Sequence, residues 1–356
     1  MSSTEKTGDR GVELWLWITA FLVLCMVVVG GATRLTGSGL SITEWKPIMG
    51  AIPPLSEADW LAAFEKYKRI PQYKIVNEGM TLGEFKGIFW WEWSHRFLGR
   101  MIGFAFALPL LFFWWRGRLR SGSGRKLAGV LALGGLQGAI GWFMVYSGLA
   151  ERVSVSQYRL ALHLSVAFAL LALLVWLALE ERRARPGHAA SSASSGTRRR
   201  AMWILLAIGA QAVLGALVAG LKAGLVYNTW PAMDGRWFPS DYWAEGHGWL
   251  SLFESHAATQ FNHRLMAYVV MALIAWQAVA LLRGGAGGMA RTSGLVLFFA
   301  ALTQAMIGIL TLLMHVPLAL GLVHQGGAAV LIAVAVWHFF ETRRESSGFV
   351  PRIEVI

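Results

Sequence analysis

The chain has 356 residues, of which 56% are hydrophobic and 15% charged, and its mean hydropathy is +0.50. This composition excludes a soluble globular domain and is typical of an integral membrane protein. The net charge of +12 does not indicate a nucleic-acid partner, because the basic residues cluster in short segments between apolar ones. The single cysteine, Cys25, excludes an intrachain disulfide and a metal site built from cysteines.

Eight apolar segments are each long enough to cross a bilayer, for which a helix needs about 20 apolar residues. We number them as spans 1 to 8, at residues 14–33, 89–115, 127–147, 158–179, 202–221, 257–282, 293–314 and 318–340. The predicted fold class is therefore an all-α integral membrane protein with eight transmembrane helices in contact with the lipid bilayer.

Basic residues are concentrated on one side of these predicted spans. Segments 116–126, 180–200 and 283–291 and the C-terminal tail carry clusters of them. Because basic loops stay in the cytoplasm, this side is predicted to be cytoplasmic and to hold both termini. Residues 1–13 have the features of neither a signal peptide nor a transit peptide. We therefore expect a multi-pass protein of the bacterial inner membrane, or of the mitochondrial inner membrane if the source is eukaryotic.

A long outer loop follows span 1. Within it, residues 56–69 predict a short amphipathic helix whose start is capped by Ser56 and Asp59. The apolar face of this helix suits the membrane surface and a position against its own loop equally well.

Span 2 opens with the sequence Glu-Trp-Ser-His-Arg at residues 92–96. Glu92 and His95 are three residues apart and so share one face of a helix. Ionisable groups inside a membrane span are costly, which makes them functional candidates. His163 lies at a matching position, a few residues into span 4.

The second half of the chain repeats the first. Gln-Phe-Asn-His-Arg at residues 260–264 opens span 6 as residues 92–96 open span 2, and His324 in span 8 corresponds to His163. Two further features recur in the same order, a helix-capping pattern and a glutamine in the following span. They pair Thr81-x-x-Glu84 with Ser251-x-x-Glu254, the predicted caps of spans 2 and 6, and Gln137 with Gln304.

We interpret this repeat as two parallel four-helix bundles related by a pseudo-twofold axis along the membrane normal. The first unit covers residues 1–184, with the outer loop at 34–88, and the second covers residues 201–345. Residues 185–200, rich in serine and arginine, predict a flexible cytoplasmic linker, and residues 346–356 a cytoplasmic tail.

The four histidines predict two metal sites at one depth near the outer side. His95 pairs with His163 and His263 pairs with His324, one pair in each bundle. Two neutral imidazoles that face each other across a bundle core suit an iron porphyrin. A zinc site of four histidines is the alternative, but the repeat divides the ligands into pairs and no HExxH motif is present. The alternative that these are ordinary core histidines could explain a single one of them, but it does not explain four at matching positions.

Four cations near the outer ends of the spans are candidates for binding haem propionates: Arg34, Arg96, Lys222 and Arg264. Snorkelling anchors explain these cations equally well. Three other histidines lie near span ends and are predicted to be interfacial rather than ligands: His256, His315 and His338.

The two halves differ at one charged position. Glu92 precedes His95 by three residues, whereas Gln260 precedes His263. The difference predicts proton-linked chemistry in the first half and an electron-transfer cofactor in the second. A structural bond from Glu92 to a neighbouring helix is the alternative.

Taken together, these motifs resemble haem A synthase: eight spans in two units, Glu92-x-x-His95-Arg96, Asn262-His263-Arg264, and partner histidines at 163 and 324. The outer-loop segment 39–54 is similar to the α-proteobacterial and mitochondrial branch, and the cysteine pair of the other branch is missing. The resemblance implies an oxidoreductase that converts the C8 methyl group of haem O, through an alcohol, to the formyl group of haem A for cytochrome oxidase.

The resemblance also implies roles and partners. His95 and His163 would bind the iron of the substrate haem, His263 and His324 would hold haem b, and Glu92 would be catalytic. Implied partners are haem O synthase, cytochrome oxidase assembly factors and an external electron carrier, and a homo-oligomer is left open. A di-haem b electron-transfer cytochrome and a haem-handling or transport protein are the alternative functions. The cytochrome is disfavoured because both histidine pairs are predicted near one face.

Overall fold

The computed structural model describes residues 7–44, 49–149, 153–186, 193–284 and 288–343. Across these residues the chain is helical, apart from loops and one isolated β-bridge between Met233 and Arg236. Eight of the described helices are long and apolar enough to cross a membrane, which confirms the eight predicted spans. Spans 1 to 8 are the helices Arg10–Leu35, Leu82–Trp115, Ser123–Leu149, Gln157–Arg183, Ser195–Leu221, His256–Arg283, Gly288–Leu313 and Leu318–Glu341.

Each half of the chain forms a closed ring of four helices. Spans 1, 2, 3 and 4 contact one another in that cyclic order, and spans 5, 6, 7 and 8 do the same. The rings meet where span 1 packs on span 8 and where span 4 packs on spans 5 and 8. Spans 1 and 4 are accordingly the most buried helices, while span 3 lies at the periphery with most of its surface open to lipid.

The helix predicted in the outer loop is present at Glu57–Tyr67, with the predicted capping box between Ser56 and Asp59. Its apolar face packs on the outer end of span 2, where Trp60 and Phe64 contact Phe85 and Phe89. The structure therefore places this helix against its own half of the protein. The predicted capping box that starts span 2, between Thr81 and Glu84, is also confirmed.

Span 6 begins differently from the prediction. Ser251–Glu254 forms a separate single-turn helix, and span 6 starts after Ser255, whose hydroxyl accepts a hydrogen bond from the Ala258 N–H at 3.2 Å. The hydroxyl of Ser251 instead accepts from the backbone N–H of Ala244 in the preceding loop. The predicted cap was wrong because a loop residue competes for the same hydroxyl.

Span 5 begins at Ser195, inside the segment predicted to be a linker, because the Ser194 hydroxyl caps the Thr197 N–H. The middle of that linker, residues 187–192, and the predicted tail at 346–356 lie outside the described residues.

Candidate functional site

The first histidine pair comes together across the ring of spans 1 to 4. The ring centroids of His95 and His163 are 6.4 Å apart, with the planes tilted by 65°. Two imidazoles bound to opposite sides of one metal atom, at about 2 Å each, have centroids roughly 6 Å apart. Both side chains are partly exposed although they belong to facing helices of the ring. This geometry fits two axial ligands of one haem iron.

The second pair occupies the corresponding helices of the other ring. His263 lies in span 6 and His324 in span 8, and both side chains are partly exposed. Among the described residues no three His, Cys, Asp or Glu side chains form a group that could hold a metal ion. The four histidines are therefore divided between the two helix rings. The haem interpretation requires this division, whereas a zinc site of four histidines would require all four at one place.

A glutamine and a glycine on the preceding span contact His163. The Gln137 amide N–H₂ donates to the backbone carbonyl of His163 at 3.0 Å and lies 3.3 Å from ring Nε2. Gly141, one helical turn later, lies so close that an added Cβ would be 3.0 Å from ring Cε1. We call this arrangement the glutamine clasp.

The same clasp recurs at both histidines of the second ring. Gln211 donates to the His263 carbonyl at 3.1 Å, and Gln304 donates to the His324 carbonyl at 2.8 Å. Gly215 and Gly308, each one turn after its glutamine, lie against the imidazole rings of His263 and His324, respectively. Gln137 and Gln304 were predicted to correspond, whereas Gln211 was not predicted, although the spacing Gln-x-x-x-Gly marks all three.

Several buried polar atoms at these histidines have no hydrogen-bond partner in the described part of the chain. They include Nδ1 of His163 and of His263 and the amide oxygens of all three clasp glutamines. An unsatisfied polar atom inside a protein is costly, so a concentration of them indicates a missing ligand. At His163 and His263 one ring nitrogen lies near the clasp amide and the other has no partner in this part of the chain, so each imidazole has a nitrogen that is open to a ligand.

Glu92 lies one turn before His95 in span 2 and bonds away from the histidine pair. It is 2% exposed, and its Oε2 accepts hydrogen bonds from the Ser41 hydroxyl and the Ile42 N–H, both at 2.8 Å. Its Oε1 accepts from Arg96 at 2.6 Å, and Arg96 donates further to the Ile42 carbonyl. Glu92 and Arg96 together hold the start of the outer loop, and we call this pair the loop anchor.

Gln260 and Arg264 form the equivalent anchor in the second half. The Gln260 amide donates to the Ala223 carbonyl at 2.8 Å, and its oxygen accepts from Arg264 at 2.8 Å. Arg264 also donates to loop carbonyls, including that of Tyr227 at 2.9 Å. An amide and a carboxylate therefore make the same kind of contact with a loop and an arginine. This similarity favours the alternative interpretation of Glu92, in which its role is structural.

The remaining cations differ in their contacts. Arg34 donates to the carbonyls of Ala219 and Gly220 at 3.1 and 2.8 Å, which joins the ends of spans 1 and 5. Lys222 is exposed and has no side-chain partner among the described residues. Of the four predicted propionate ligands, three are thus engaged with backbone carbonyls, although Nε of Arg34 and of Arg264 is buried without a partner in that part of the chain.

His338 was predicted to be interfacial, and this was wrong. The residue is 0% exposed, with one ring nitrogen 2.9 Å from the Gln277 amide and the other 3.0 Å from the Ser293 hydroxyl. Gln277 in turn accepts from Arg200 at 2.7 Å. Because both ring nitrogens are bonded, His338 is a structural residue rather than a metal ligand.

Comparison with known proteins identifies one family. A family model described as cytochrome oxidase assembly protein matches residues 13–336. Curated relatives named haem A synthase include the protein of Chelativorans sp. (strain BNC1), 51% identical over 96% of this chain and 94% of the relative. The relative from Bradyrhizobium sp. (strain ORS 278) is 49% identical over 100% of this chain and 98% of the relative. The relative from Rhodopseudomonas palustris (strain BisB5) is 50% identical over 97% of this chain and 94% of the relative.

Proposed function

The chain belongs to the haem A synthase family of cytochrome oxidase assembly proteins, and on that premise we propose that it oxidises haem O to haem A. The reaction converts the C8 methyl group of the substrate to a formyl group, through an alcohol. The enzyme is an oxidoreductase of haem biosynthesis embedded in the membrane by eight helices. The observation that carries the assignment to this site is the separation of 6.4 Å between the His95 and His163 rings.

The first ring of helices is proposed as the substrate site. His95 and His163 bind the iron of haem O from opposite sides. The Nε group of Arg34 in this ring is a donor left for a propionate, and Lys222 and the Nε group of Arg264 are the corresponding donors in the second ring. Arg96 is a weaker candidate because Glu92 and loop carbonyls already engage it.

The second ring is proposed as the site of a resident haem b. His263 and His324 are both held by glutamine clasps, which suits a cofactor that stays bound. A haem b at this position supplies one-electron transfer to or from an external electron carrier. The chain itself holds both imidazoles in place. At the position equivalent to Glu92 the second half has Gln260, so this half has no acidic group there.

Glu92 is proposed as the residue that takes up protons at the C8 substituent. It is buried and one helical turn from His95. Its role in the loop anchor is the competing explanation, because both of its oxygens accept hydrogen bonds from the loop or from Arg96.

We also propose the topology that the repeat suggests. The two rings, residues 1–184 and 201–345, are related by a pseudo-twofold axis along the membrane normal, with both termini in the cytoplasm and the protein in the inner membrane. The recurrence of the clasp and of the loop anchor in both rings supports this relation. Haem O synthase as donor, assembly factors as acceptors of haem A, and a homo-oligomer are further proposals, for which the family supplies the only support.

Extraction of haem from the purified protein tests the function. The protein is produced with and without haem O synthase, and the haems are identified by chromatography and mass. We expect haem b under both conditions, and haem O, its alcohol or haem A only with the synthase. Haem b alone under both conditions would favour the di-haem electron-transfer cytochrome, and a protein without haem would contradict the assignment of all four histidines.

A further inference from the structure

Three of the four histidines have a glutamine clasp, and His95 does not. The corresponding positions on span 1 are Met26 and Gly30, in the same four-residue spacing as the three Gln-x-x-x-Gly pairs. Gly30 contacts its histidine as the other glycines do, since an added Cβ would be 3.0 Å from His95 Nε2. The two residues therefore occupy the clasp position, but the hydrogen-bond donor is replaced.

Replacing glutamine with methionine removes the hydrogen bond, because a thioether is at most a weak acceptor and cannot donate. In the described part of the chain neither the His95 ring nor its backbone carbonyl receives a side-chain hydrogen bond, whereas the carbonyls of the other three histidines each receive one at 2.8 to 3.1 Å. The end of the Met26 side chain lies against Gly99 of span 2, one turn beyond His95. Met26 thus fills space beside His95 without fixing its ring.

Each clasp fastens the backbone of its histidine to the preceding span and places the glutamine amide 3.1 to 3.4 Å from a ring nitrogen, so it restricts the orientation of the imidazole. A free ring loses rotational freedom each time it binds, which lowers its affinity. A resident cofactor benefits from two fixed ligands. A substrate that must enter and leave as product benefits from one ligand that releases readily.

We propose that Met26 is a positioning residue that makes His95 the exchangeable iron ligand, so that substrate and product haem pass through the first ring while the second ring keeps its haem. The proposal rests on the proposed function for the division of the two haems. It deepens that function by assigning haem exchange to one identified ligand and one identified substitution.

The experiment measures the rate at which each haem leaves the intact protein. The holoprotein in detergent is mixed with excess apomyoglobin as haem acceptor, and the haems that remain are identified by mass over time. In the wild type we expect a fast phase for the first-ring haem and a slow phase for the second-ring haem. Met26→Gln, which restores the clasp, should slow the fast phase about tenfold and leave the slow phase unchanged.

Two further variants control this comparison. Met26→Leu also lacks a donor, so the fast phase should stay as in the wild type. Gln304→Met removes a clasp from the second ring and should bring the slow phase towards the fast one. This second change keeps the proposal testable if Met26→Gln does not accumulate in the membrane.

The outcomes separate the inference from the function. A fast phase that Met26→Gln leaves unchanged, or a slow phase that Gln304→Met leaves unchanged, overturns the inference even if haem O and haem A are found. If both phases contain only haem b but respond to the substitutions as expected, the role of Met26 stands and the synthase function fails. A general loss of packing would accelerate both phases together and would also contradict the inference.

Discussion

At the scale of single residues, the two loop anchors allow a carboxylate in the first half of the chain to be compared with an amide at the equivalent position of the second half. Glu92 and Gln260 stand at equivalent positions, each bonded to an arginine four residues later and to the loop that precedes its span. The loop contact therefore does not require a negative charge. What distinguishes Glu92 is its ability to exchange a proton, and a change from carboxylate to amide isolates this property.

We expect Glu92→Gln to retain both haems and to reduce the formation of haem A by about 100-fold or more, because an amide cannot act as a general base. Formation is measured as the ratio of haem A to haem O extracted from membranes with matched haem content. Gln260→Glu, the reverse change in the second half, should reduce it much less. Haem A formed by Glu92→Gln at the wild-type rate would assign Glu92 to the loop anchor alone.

At the scale of helices, the start of span 1 is stabilised by a polar residue from another part of the chain. Span 1 is capped by Asp9, whose Oδ1 accepts from the Gly11 N–H at 2.7 Å, while Arg118 from the connection after span 2 bonds the same carboxylate. The side-chain hydrogen bond from Arg118, helped by the backbone N–H groups of the first turn, lowers the pKa of Asp9 from its ordinary value of 3.8. The carboxylate is thus more favourable in the folded protein than in the unfolded chain.

The direction of this pKa shift predicts how stability depends on pH. The contribution of Asp9 is fully present above about pH 4 and is lost as the pH falls through the lowered folded-state pKa. We expect Asp9→Asn, which keeps a capping side chain, to lower stability at pH 7 by no more than about 1 kcal/mol. Between pH 5 and 3 its unfolding midpoint, measured by circular dichroism in detergent, should fall less steeply than that of the wild type. Parallel pH profiles would contradict this account.

At the scale of the whole molecule, the two rings are joined by a few close contacts between spans. Arg34 from span 1 donates to the Gly220 carbonyl at the end of span 5. Gly220 also meets the start of span 4, because a Cβ added to it would be 2.5 Å from Cα of Gln157. A backbone this close to another backbone leaves no space for a side chain.

Gly220→Ala should therefore push spans 4 and 5 apart and destabilise the protein by about 1–3 kcal/mol. Gly209→Ala is the matched control in the same helix, since nothing lies within 4 Å of its added Cβ. We expect the control to unfold at or slightly above the wild-type midpoint, because alanine favours a helix more than glycine does. Equal midpoints for the two variants would mean that the contact between the rings does not limit stability.

The sequence by itself determined the eight spans, the repeat, the family and the four candidate ligands. These features depend on the length of apolar segments and on the spacing of nearby residues, and neither depends on tertiary contacts. Two capping boxes were predicted correctly for the same reason, since each involves residues three apart. The predicted cap at Ser251 was wrong where a residue from the preceding loop competed for the hydroxyl.

Only the tertiary structure decided which partners the polar residues take. Glu92 bonds Ser41 and Arg34 bonds Gly220, contacts that join positions 51 and 186 residues apart, and no local pattern indicates them. His338 is buried because residues of two other spans bond its ring. The spacing Gln-x-x-x-Gly is present in the sequence, but the packing of each span against the next decides which histidine each pair contacts. Hydrophobic length places a helix in the membrane, but packing between helices selects its polar partners.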